Sequence, residues 1–331
     1  MDKKYLLPSD KIRKRLIKVS AKTNPHYGKS PDERTVKELL SNGFINLDKT
    51  SGPTSHQVVS WVKETLEIDK VGHGGTLDPA VTGVLPTAIG DATRALQVLL
   101  LSGKEYVGIM RLHKNVEKKK INEVCKGFVG EIYQTPPLRS AVKRVRRKRC
   151  IYYFEIIQIK GSEVLFRVGC EAGTYIRTLC DSIGKKLGCG AHLAELRRTR
   201  VGSITEESSV TLQDVKDAYI FWKDGDETEI RSKIHPMEKL LNHMPKIVIR
   251  DSAVDALCHG ANLAIPGVVE VDTEIKKGDM AAVITLKGEG VALVHSLLST
   301  EEMIQKDTGL CATLERVLMN KGTYPSVWKK S

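Results

Sequence analysis

The chain is 331 residues long, 41% hydrophobic and 28% charged, a composition that suits two globular domains and shows neither internal repeats nor a low-complexity tract. It carries 52 Lys+Arg against 40 Asp+Glu, a formal charge of +12, which favours a polyanionic partner, with nucleic acid ahead of an anionic membrane surface. No apolar run reaches the roughly 18 residues of a transmembrane helix, and Met1–Pro8 lacks the apolar stretch of a signal peptide, so no membrane contact and a cytoplasmic setting are expected. The seven cysteines are odd in number and include no C-x-x-C pair, which predicts reduced thiols and argues against a zinc site built on cysteine pairs.

Residues 1–40 are charged and carry Pro8, Pro25 and Pro31. They predict an extended arm with a short helix near Ile12–Val19, either a disordered tail or a strap docked elsewhere on the protein. The alternation in Gly43–Lys49 predicts a strand, Thr50–Ser55 a turn and a helix cap, and Val58, Val59, Val62 and Leu66 the apolar face of a helix. Asp91–Leu100 reads as a short helix, Lys104–Leu112 as a strand and Ile121–Phe128 as a helix. Ile151–Gln158 and Val164–Cys170 read as strands paired around Lys160-Gly161, and Thr174–Leu187 as a helix with Ile176, Leu179, Ile183 and Leu187 on one face. These elements predict a mixed α/β body over residues 41–240, with Asp224–Glu229 a surface loop. Further on, Lys246–Arg250, Val268–Val271, Met280–Thr285 and Val291–Ser296 are short strands separated by glycines, which predicts a small β-barrel over 246–322 and a tail over 323–331.

Two stretches carry chemistry. Gly72–Leu85 packs four glycines, Pro79, Asp78 and His73 into fourteen residues. Pro79 keeps Asp78 out of a helix and the glycines free the backbone around it, so a carboxylate is presented on a tight loop. Asp-Pro is also ordinary turn chemistry. No G-x-x-x-x-G-K-[ST] or G-x-G-x-x-G is present, so no nucleotide cofactor is expected. His73 has no second His or Cys at ligand spacing, so it reads as a hydrogen-bonded histidine rather than a metal ligand. The second stretch, Arg139–Arg149, holds seven basic residues in eleven (Arg139, Lys143, Arg144, Arg146, Arg147, Lys148 and Arg149) with no acid among them. That density exceeds what pairing within the protein would satisfy and predicts contact with a polyphosphate backbone. Downstream, Tyr175 and Arg177 stand at the start of a helix, where an arginine fork could hold a carboxylate such as Asp78. Leu196–Gly202 is basic and ends in a turn glycine, and Tyr106 offers a face on which a base can stack.

Taken together, these stretches resemble the TruB-type pseudouridine synthases. Gly72–Leu85 is similar to the family's G-H-x-G-x-L-D-P-x-A-x-G-x-L motif and departs from it at Ala80-Val81-Thr82. Gly43–Pro53 is similar to its opening strand and turn, Lys104-Glu105-Tyr106 to its K-x-Y motif, Gly173–Leu179 to G-T-Y-I-R, and Leu196–Gly202 to L-R-R-T-x-x-G. The five motifs occur in the family's order over residues 40–205. The charged arm, Glu131–Ser140, and a C-terminal module like a PUA domain, with His259-Gly260-Ala261 and Pro266-Gly267-Val268, narrow the resemblance to the dyskerin branch, the catalytic subunit of H/ACA guide-RNA particles. The short end at Lys329-Lys330-Ser331 is similar to the archaeal type.

The resemblance implies an α+β fold: a catalytic domain on a mixed, mainly antiparallel sheet, followed by a small PUA-like β-barrel. It implies isomerisation of uridine in RNA, with rRNA and the tRNA T-loop as substrates and no cofactor or metal. Asp78 would be the essential carboxylate, by attack on the sugar, attack on the base or proton removal at C2′. Arg177 would orient Asp78, Tyr106 would stack on the uracil and assist proton movement at C5, and His73, Tyr175 and Leu196 would line the pocket. The basic run would clamp substrate RNA, and Gly260 and Ala261 would help hold the guide's 3′ end. Implied partners are the H/ACA guide RNA, a small zinc-ribbon-like subunit, a glycine/arginine-type β-barrel subunit and a kink-turn-binding ribosomal-protein homologue. The competing readings are a stand-alone enzyme for the tRNA T-loop and a non-catalytic RNA-binding scaffold.

Overall fold

The computed structural model describes residues 6–136 and 143–326, so Arg139 of the basic run lies outside the described residues. In chain order the first elements are β1 (Arg15–Ile17), α1 (Val36–Ser41), β2 (Asn42–Lys49), α2 (Ser55–Thr65), β3 (Val71–His73), β4 (Thr82–Gly90), α3 (Gln97–Leu101) and β5 (Lys104–Leu112). There follow α4 (Lys118–Lys126), β6 (Gly130–Gln134), β7 (Arg147–Lys160), β8 (Glu163–Cys170), α5 (Ile176–Leu187), β9 (Ala191–Val201), β10 (Ile204–Thr205), α6 (Leu212–Lys223), α7 (Thr228–Lys233) and β11 (His235–Pro236). The last are β12 (Lys246–Ile249), α8 (Asp251–Cys258), β13 (Leu263–Ala264), β14 (Val268–Asp272), β15 (Met280–Thr285), β16 (Gly290–Ser296), α9 (Thr300–Gln305) and β17 (Leu310–Val317).

The strands form two sheets. The larger runs β11-β2-β4-β9-β5-β8-β7-β6, with β3 added to β4 and β10 to β9; its β4–β9 pair is parallel and its other pairs are antiparallel. The smaller runs β1-β14-β12-β15-β16-β17-β13. The fold is therefore α+β with mainly antiparallel sheets.

Local chemistry sets the helices around the larger sheet. Thr54 and Gln57 form a reciprocal capping box at the start of α2, worth about 1 kcal/mol, and Val58 and Val62 point inward from it. Helix α5 buries Ile176, Leu179, Cys180, Ile183 and Leu187, and stops at Gly188 in the left-handed region. Gly184 lets α5 lie on β9, because a Cβ there would stand 2.2 Å from the Ala191 nitrogen. Ile45, Leu47, Leu85, Ile89, Met110 and Phe166 join these helices in one core. A second core joins Phe44, Val84, Ala88 and Leu99 of the larger sheet's side to Ala282, Leu293 and Leu318 of the smaller sheet's side, with Met237, Leu240 and Leu241 between them.

The arm is a docked strap. The helix expected near Ile12–Val19 does not form: Arg15–Ile17 instead pairs antiparallel with Glu270–Asp272 of β14. Arg15 Nε meets Asp272 at 3.1 Å, and Lys14 N donates to Thr273 Oγ1, so pairing outside the segment overrides its local helical spacing. Further along, Lys287 Nζ donates to the carbonyls of Asn24, Pro25, Tyr27 and Gly28, and Arg34 forms a two-pronged pair with Glu238. Asp91–Leu100 also differs from expectation, as a 3₁₀ turn over Asp91–Ala95 precedes α3. In the C-terminal module, α8, α9 and β17 add to the four expected strands.

Candidate active site

Only the middle of Gly72–Leu85 is loop. Gly72 and His73 belong to β3 and Thr82 opens β4, which leaves Gly74–Val81 to present Asp78. Asp78 O accepts from Val81 N at 3.0 Å, closing a tight turn at Pro79. Ser55, buried at the first turn of α2, accepts from Leu77 N at 2.8 Å and donates to Leu77 O at 3.0 Å, so the residue before Asp78 is held on both sides.

Two buried cations hold the rest of the loop, and neither was singled out in the sequence. Lys49 is 1% exposed, and its Nζ donates to Thr50 O, Pro79 O and Val81 O at 2.9–3.0 Å. Burial pulls its pKa down, and the Asp78 charge works against that pull. Arg198 is likewise 1% exposed: its Nε donates to Val84 O at 2.8 Å, Nη2 to Gly75 O at 3.0 Å and Nη1 to Thr76 O at 3.4 Å. The sheet register explains why these two meet one loop. Lys49 pairs with Gly83, Gly83 with Arg198, and Arg198 with Tyr106, in one row across β2, β4, β9 and β5. Gly83 is required in that row. Its φ is +103°, and a Cβ would stand 2.2 Å from Arg198 O. A third buried cation, Lys104, donates to Leu99 O, Leu100 O and Ser102 O at the end of α3; burial pushes it down to about 8.

Asp78 and Arg177 meet above this floor. Arg177 Nη2 lies 3.4 Å from Asp78 Oδ2, and both side chains are about two-thirds exposed. A pair this open contributes less than about 1 kcal/mol to folding. It therefore does little for stability while water surrounds it, and its field strengthens when a bound molecule displaces that water. Arg177 sits on the first turn of α5, where Gln134 substitutes for a side-chain cap: it accepts from Tyr175 N at 2.9 Å and donates to Tyr175 O at 3.1 Å. Tyr106, 9% exposed, lies in the core beneath; burial pushes its hydroxyl pKa up, opposed by Arg198, and the Asp78 charge reaches it. Asp78 and Arg177 are thus paired, and Tyr106 lies opposite Arg198, whose guanidinium holds the Gly75 and Thr76 carbonyls of the same loop.

The remaining site residues divide. Leu196 packs on the core from β9, opposite Gly108, and Tyr175 immediately precedes α5, so both stay near this centre. His73 turns back on its own chain. Its Nδ1 accepts from Gly75 N at 3.3 Å, its ring meets His56 edge-on at 5.3 Å, and burial lowers its pKa.

The basic run is not wholly free of partners, contrary to expectation. Arg147–Arg149 belong to β7, which places Lys148 beside Glu131 of β6 in an ion pair and brings Arg149 within 3.6 Å of Glu171. The Arg146 guanidinium stacks 4.7 Å from the Tyr133 ring centre. Lys143, Arg144 and Arg147 are exposed. In the C-terminal module, Gly260 (φ +96°) and Ala261 are exposed just after α8. Among the described residues no group of three or more His, Cys, Asp or Glu could hold a metal ion, and no helix is long and apolar enough to cross a membrane.

Residues 63–119 and 113–176 match the N-terminal domain of the TruB family of pseudouridylate synthases, and 177–242 the tRNA pseudouridylate synthase B C-terminal domain. Residues 245–318 match the PUA domain and 4–59 the DKCLD (NUC011) domain. Proteins described as "Probable tRNA pseudouridine synthase B" are 56% identical over 98% of this chain and 96% of theirs in Methanosarcina barkeri, and 55% identical over 98% of each in Pyrococcus abyssi. Among solved structures, a chain of a Cbf5-Nop10-Gar1 complex superposes with TM-score 0.94 at 52% identity, covering 97% of this chain and 99% of that one. A chain of an H/ACA RNP bound to a substrate RNA containing 2'-deoxyuridine gives 0.92 at 50% identity, covering 98% and 100%.

Proposed function

This chain belongs to the TruB family of pseudouridylate synthases, and we propose that it isomerises uridine in RNA as the catalytic subunit of a guide-RNA particle. The observation that carries the reading is the Asp78–Arg177 pair, open to solvent on a loop that Lys49, Ser55 and Arg198 hold in place. Isomerisation breaks the N1–C1′ bond, turns the uracil and forms C5–C1′, with no net loss of atoms or electrons. It needs one ionised carboxylate beside a nucleotide taken out of its stack. Asp78 is that carboxylate, Arg177 its counter-charge and orienter, and Tyr106 the group beneath the base. Tyr175 and Leu196 wall the pocket, and His73 shapes the loop from behind.

Target choice rests with base pairing to the guide. Lys143, Arg144 and Arg147 face substrate phosphates, and the C-terminal module, with Gly260 and Ala261, holds the guide's 3′ end. In this reading the arm is residues 1–40, the catalytic domain 41–240 and the RNA-holding module 246–322. The partners are the zinc-ribbon-like and glycine/arginine-type β-barrel subunits, in keeping with the similarity to a Cbf5-Nop10-Gar1 complex, and a kink-turn-binding ribosomal-protein homologue. A cytoplasmic setting suits the seven free cysteines. The names of the relatives favour tRNA as a substrate, and the second reading is that this chain acts on tRNA without a guide.

The test is tritium release from [5-³H]uridine RNA by the assembled particle, comparing a guide-paired target with a bare tRNA transcript, for wild type and Asp78→Asn. Release that requires the guide supports the first reading, and release from bare tRNA supports the second. Release by Asp78→Asn at the wild-type rate overturns the role of Asp78.

A further inference from the structure

We propose that Gln134 is a positioning residue for Arg177: its buried amide grips the residue from which α5 starts, and so sets where the guanidinium stands against Asp78. The inference rests on the pseudouridine synthase reading and concerns how its site is set.

The Arg177 side chain is about two-thirds exposed and stands 3.4 Å from Asp78 Oδ2, so the backbone at the start of α5 decides where it can reach. That start has little local help. The N-cap residue is Tyr175, which offers no short side-chain acceptor to the first N–H groups, and the first turn holds no acidic residue. Gln134 supplies what is missing. Tyr175 is extended (φ −96°, ψ 105°), which turns its N–H and C=O to the same side. The Gln134 amide meets both as a residue of a neighbouring strand would, accepting from Tyr175 N at 2.9 Å and donating to Tyr175 O at 3.1 Å. The same carbonyl accepts Leu179 N at 3.0 Å, a helical bond of the first turn, so Gln134 and the helix share one anchoring atom.

The grip comes from the strand pair that carries the end of the basic run. Gln134 is the last residue of β6, 5% exposed and opposite Arg147 of β7. From β7, Cys150 holds the other end of the loop that leads into α5. Cys150 N donates to Glu171 Oε2 at 2.9 Å, and Cys150 O accepts from Glu171 N at 2.8 Å. Thr174 Oγ1 donates to Glu171 O at 2.7 Å and closes the turn between these ends, with Gly173 at φ +78°. Glu171 and Tyr175 are thus pinned to β7 and β6, and Arg177 follows two residues later. An amide is the group this position needs. A buried amide is costly unless its polar atoms are used, and here its acceptor and a donor meet the backbone of one residue. Glutamate would keep the bond from Tyr175 N and set a carboxylate oxygen against Tyr175 O, whereas methionine would fill the space and make neither bond.

The experiment is a double-mutant cycle on single-turnover tritium release by the assembled particle at saturating guide-paired RNA, with Gln134→Met, Arg177→Lys and the pair. Gln134→Met is expected to slow release about 100-fold, the scale of a small misplacement at a reacting centre. RNA affinity should stay within about 3-fold of wild type, the split that marks an interaction used in the transition state rather than in binding. In the Arg177→Lys background the same substitution is expected to cost less than about 3-fold, because Gln134 acts through the arginine. Release by Gln134→Met at the wild-type rate, an equal loss of rate and RNA affinity, or multiplicative losses in the pair would each overturn the proposal. A second measurement needs neither turnover nor the methionine variant. The Arg177 guanidinium resonance of ¹⁵N-arginine-labelled protein, assigned with Arg177→Lys, is compared between wild type and Gln134→Glu. A displaced resonance supports the proposal, and an unchanged one overturns it. Wild type inactive on every RNA would count against the pseudouridine synthase reading, while the guanidinium resonance would still decide this one.

Discussion

Replacing Lys49 by Met tests whether the buried amine holds the Asp78 loop. The substitution keeps the length of the side chain and removes three donated hydrogen bonds, to Thr50 O, Pro79 O and Val81 O. The losses are unequal. The bond to Val81 O is fully buried, so that carbonyl suffers the whole desolvation cost, about 1–3 kcal/mol. Pro79 O keeps a bond from Gly52 N at 2.9 Å, and Thr50 belongs to an exposed residue whose carbonyl water can reach, so these add about 0.5–1 kcal/mol each. Against this, the variant no longer buries a charge, which returns about 1 kcal/mol. The net expectation is a loss of about 1–4 kcal/mol, read as a lower urea midpoint at unchanged m. Turnover should fall further than stability alone explains, by about 100-fold under conditions where the protein remains folded, because Pro79 and Val81 flank the carboxylate. A variant that unfolds at the wild-type midpoint, or that loses stability yet turns over within 3-fold of wild type, would refute the idea that Lys49 fixes the loop.

Replacing Lys143, Arg144 and Arg147 together by Gln should weaken substrate RNA binding and make the plot of log K against log salt shallower by about 2–3 units of slope. Replacing Lys148 and Arg149, whose charges are answered by Glu131 and Glu171, should change that slope much less; equal effects would refute the assignment. Asp10→Asn should cost about 1–3 kcal/mol of stability, read as a lower unfolding midpoint, since it weakens a pair with Arg200 whose side chains are only 11% and 14% exposed; an unchanged midpoint would mean that the strap's hold on β9 is incidental. The pH dependence has a definite sign. Burial pushes His243 down to about 4 from its ordinary 6.5, with Arg13 and Lys246 also disfavouring its charged form. Between those values the unfolded chain binds a proton that the folded one refuses, so stability falls as pH falls from 6.5 to 4, by about 3 kcal/mol for this group. Melting curves of wild type and His243→Gln should diverge in that window, and parallel curves would refute it.

How much of this was legible in the sequence depends on where each signal resides. Lys104–Leu112 is a strand as read, because its alternation records a buried face and its partners on both sides are long strands of the same sheet. Thr54 and the apolar spacing after it fix α2, since capping and burial are local. Ile12–Val19 failed for the opposite reason. What decides it lies more than 250 residues away, at Glu270–Asp272, and no local pattern in a short charged segment announces such a partner. Strand β9 was missed because its inward positions include Arg198, a residue that no apolar alternation would count as core.

The same distinction runs through the site. Asp78, Tyr106 and Arg177 stand out in the sequence because each sits in a short motif of unusual composition, and the structure pairs Asp78 with Arg177. The residues that hold them there do not. Lys49 and Arg198 look like surface charges in the sequence, one ending a strand and the other inside a basic run. Their burial follows from Gly83, which lies between them in the sheet and has no side chain to fill the space. A lysine and an arginine can occupy that row because six main-chain carbonyls accept from the two side chains, four of them from the Gly74–Val81 loop above. Glycine-rich loops expose such carbonyls, so a carboxylate presented on one needs cations below it. A glycine motif flanked in sequence by basic residues on separate strands is thus a signal for buried supports as well as for phosphate contacts. Here the exposed Lys143, Arg144 and Arg147 suit the second use, and Lys49 and Arg198 serve the first.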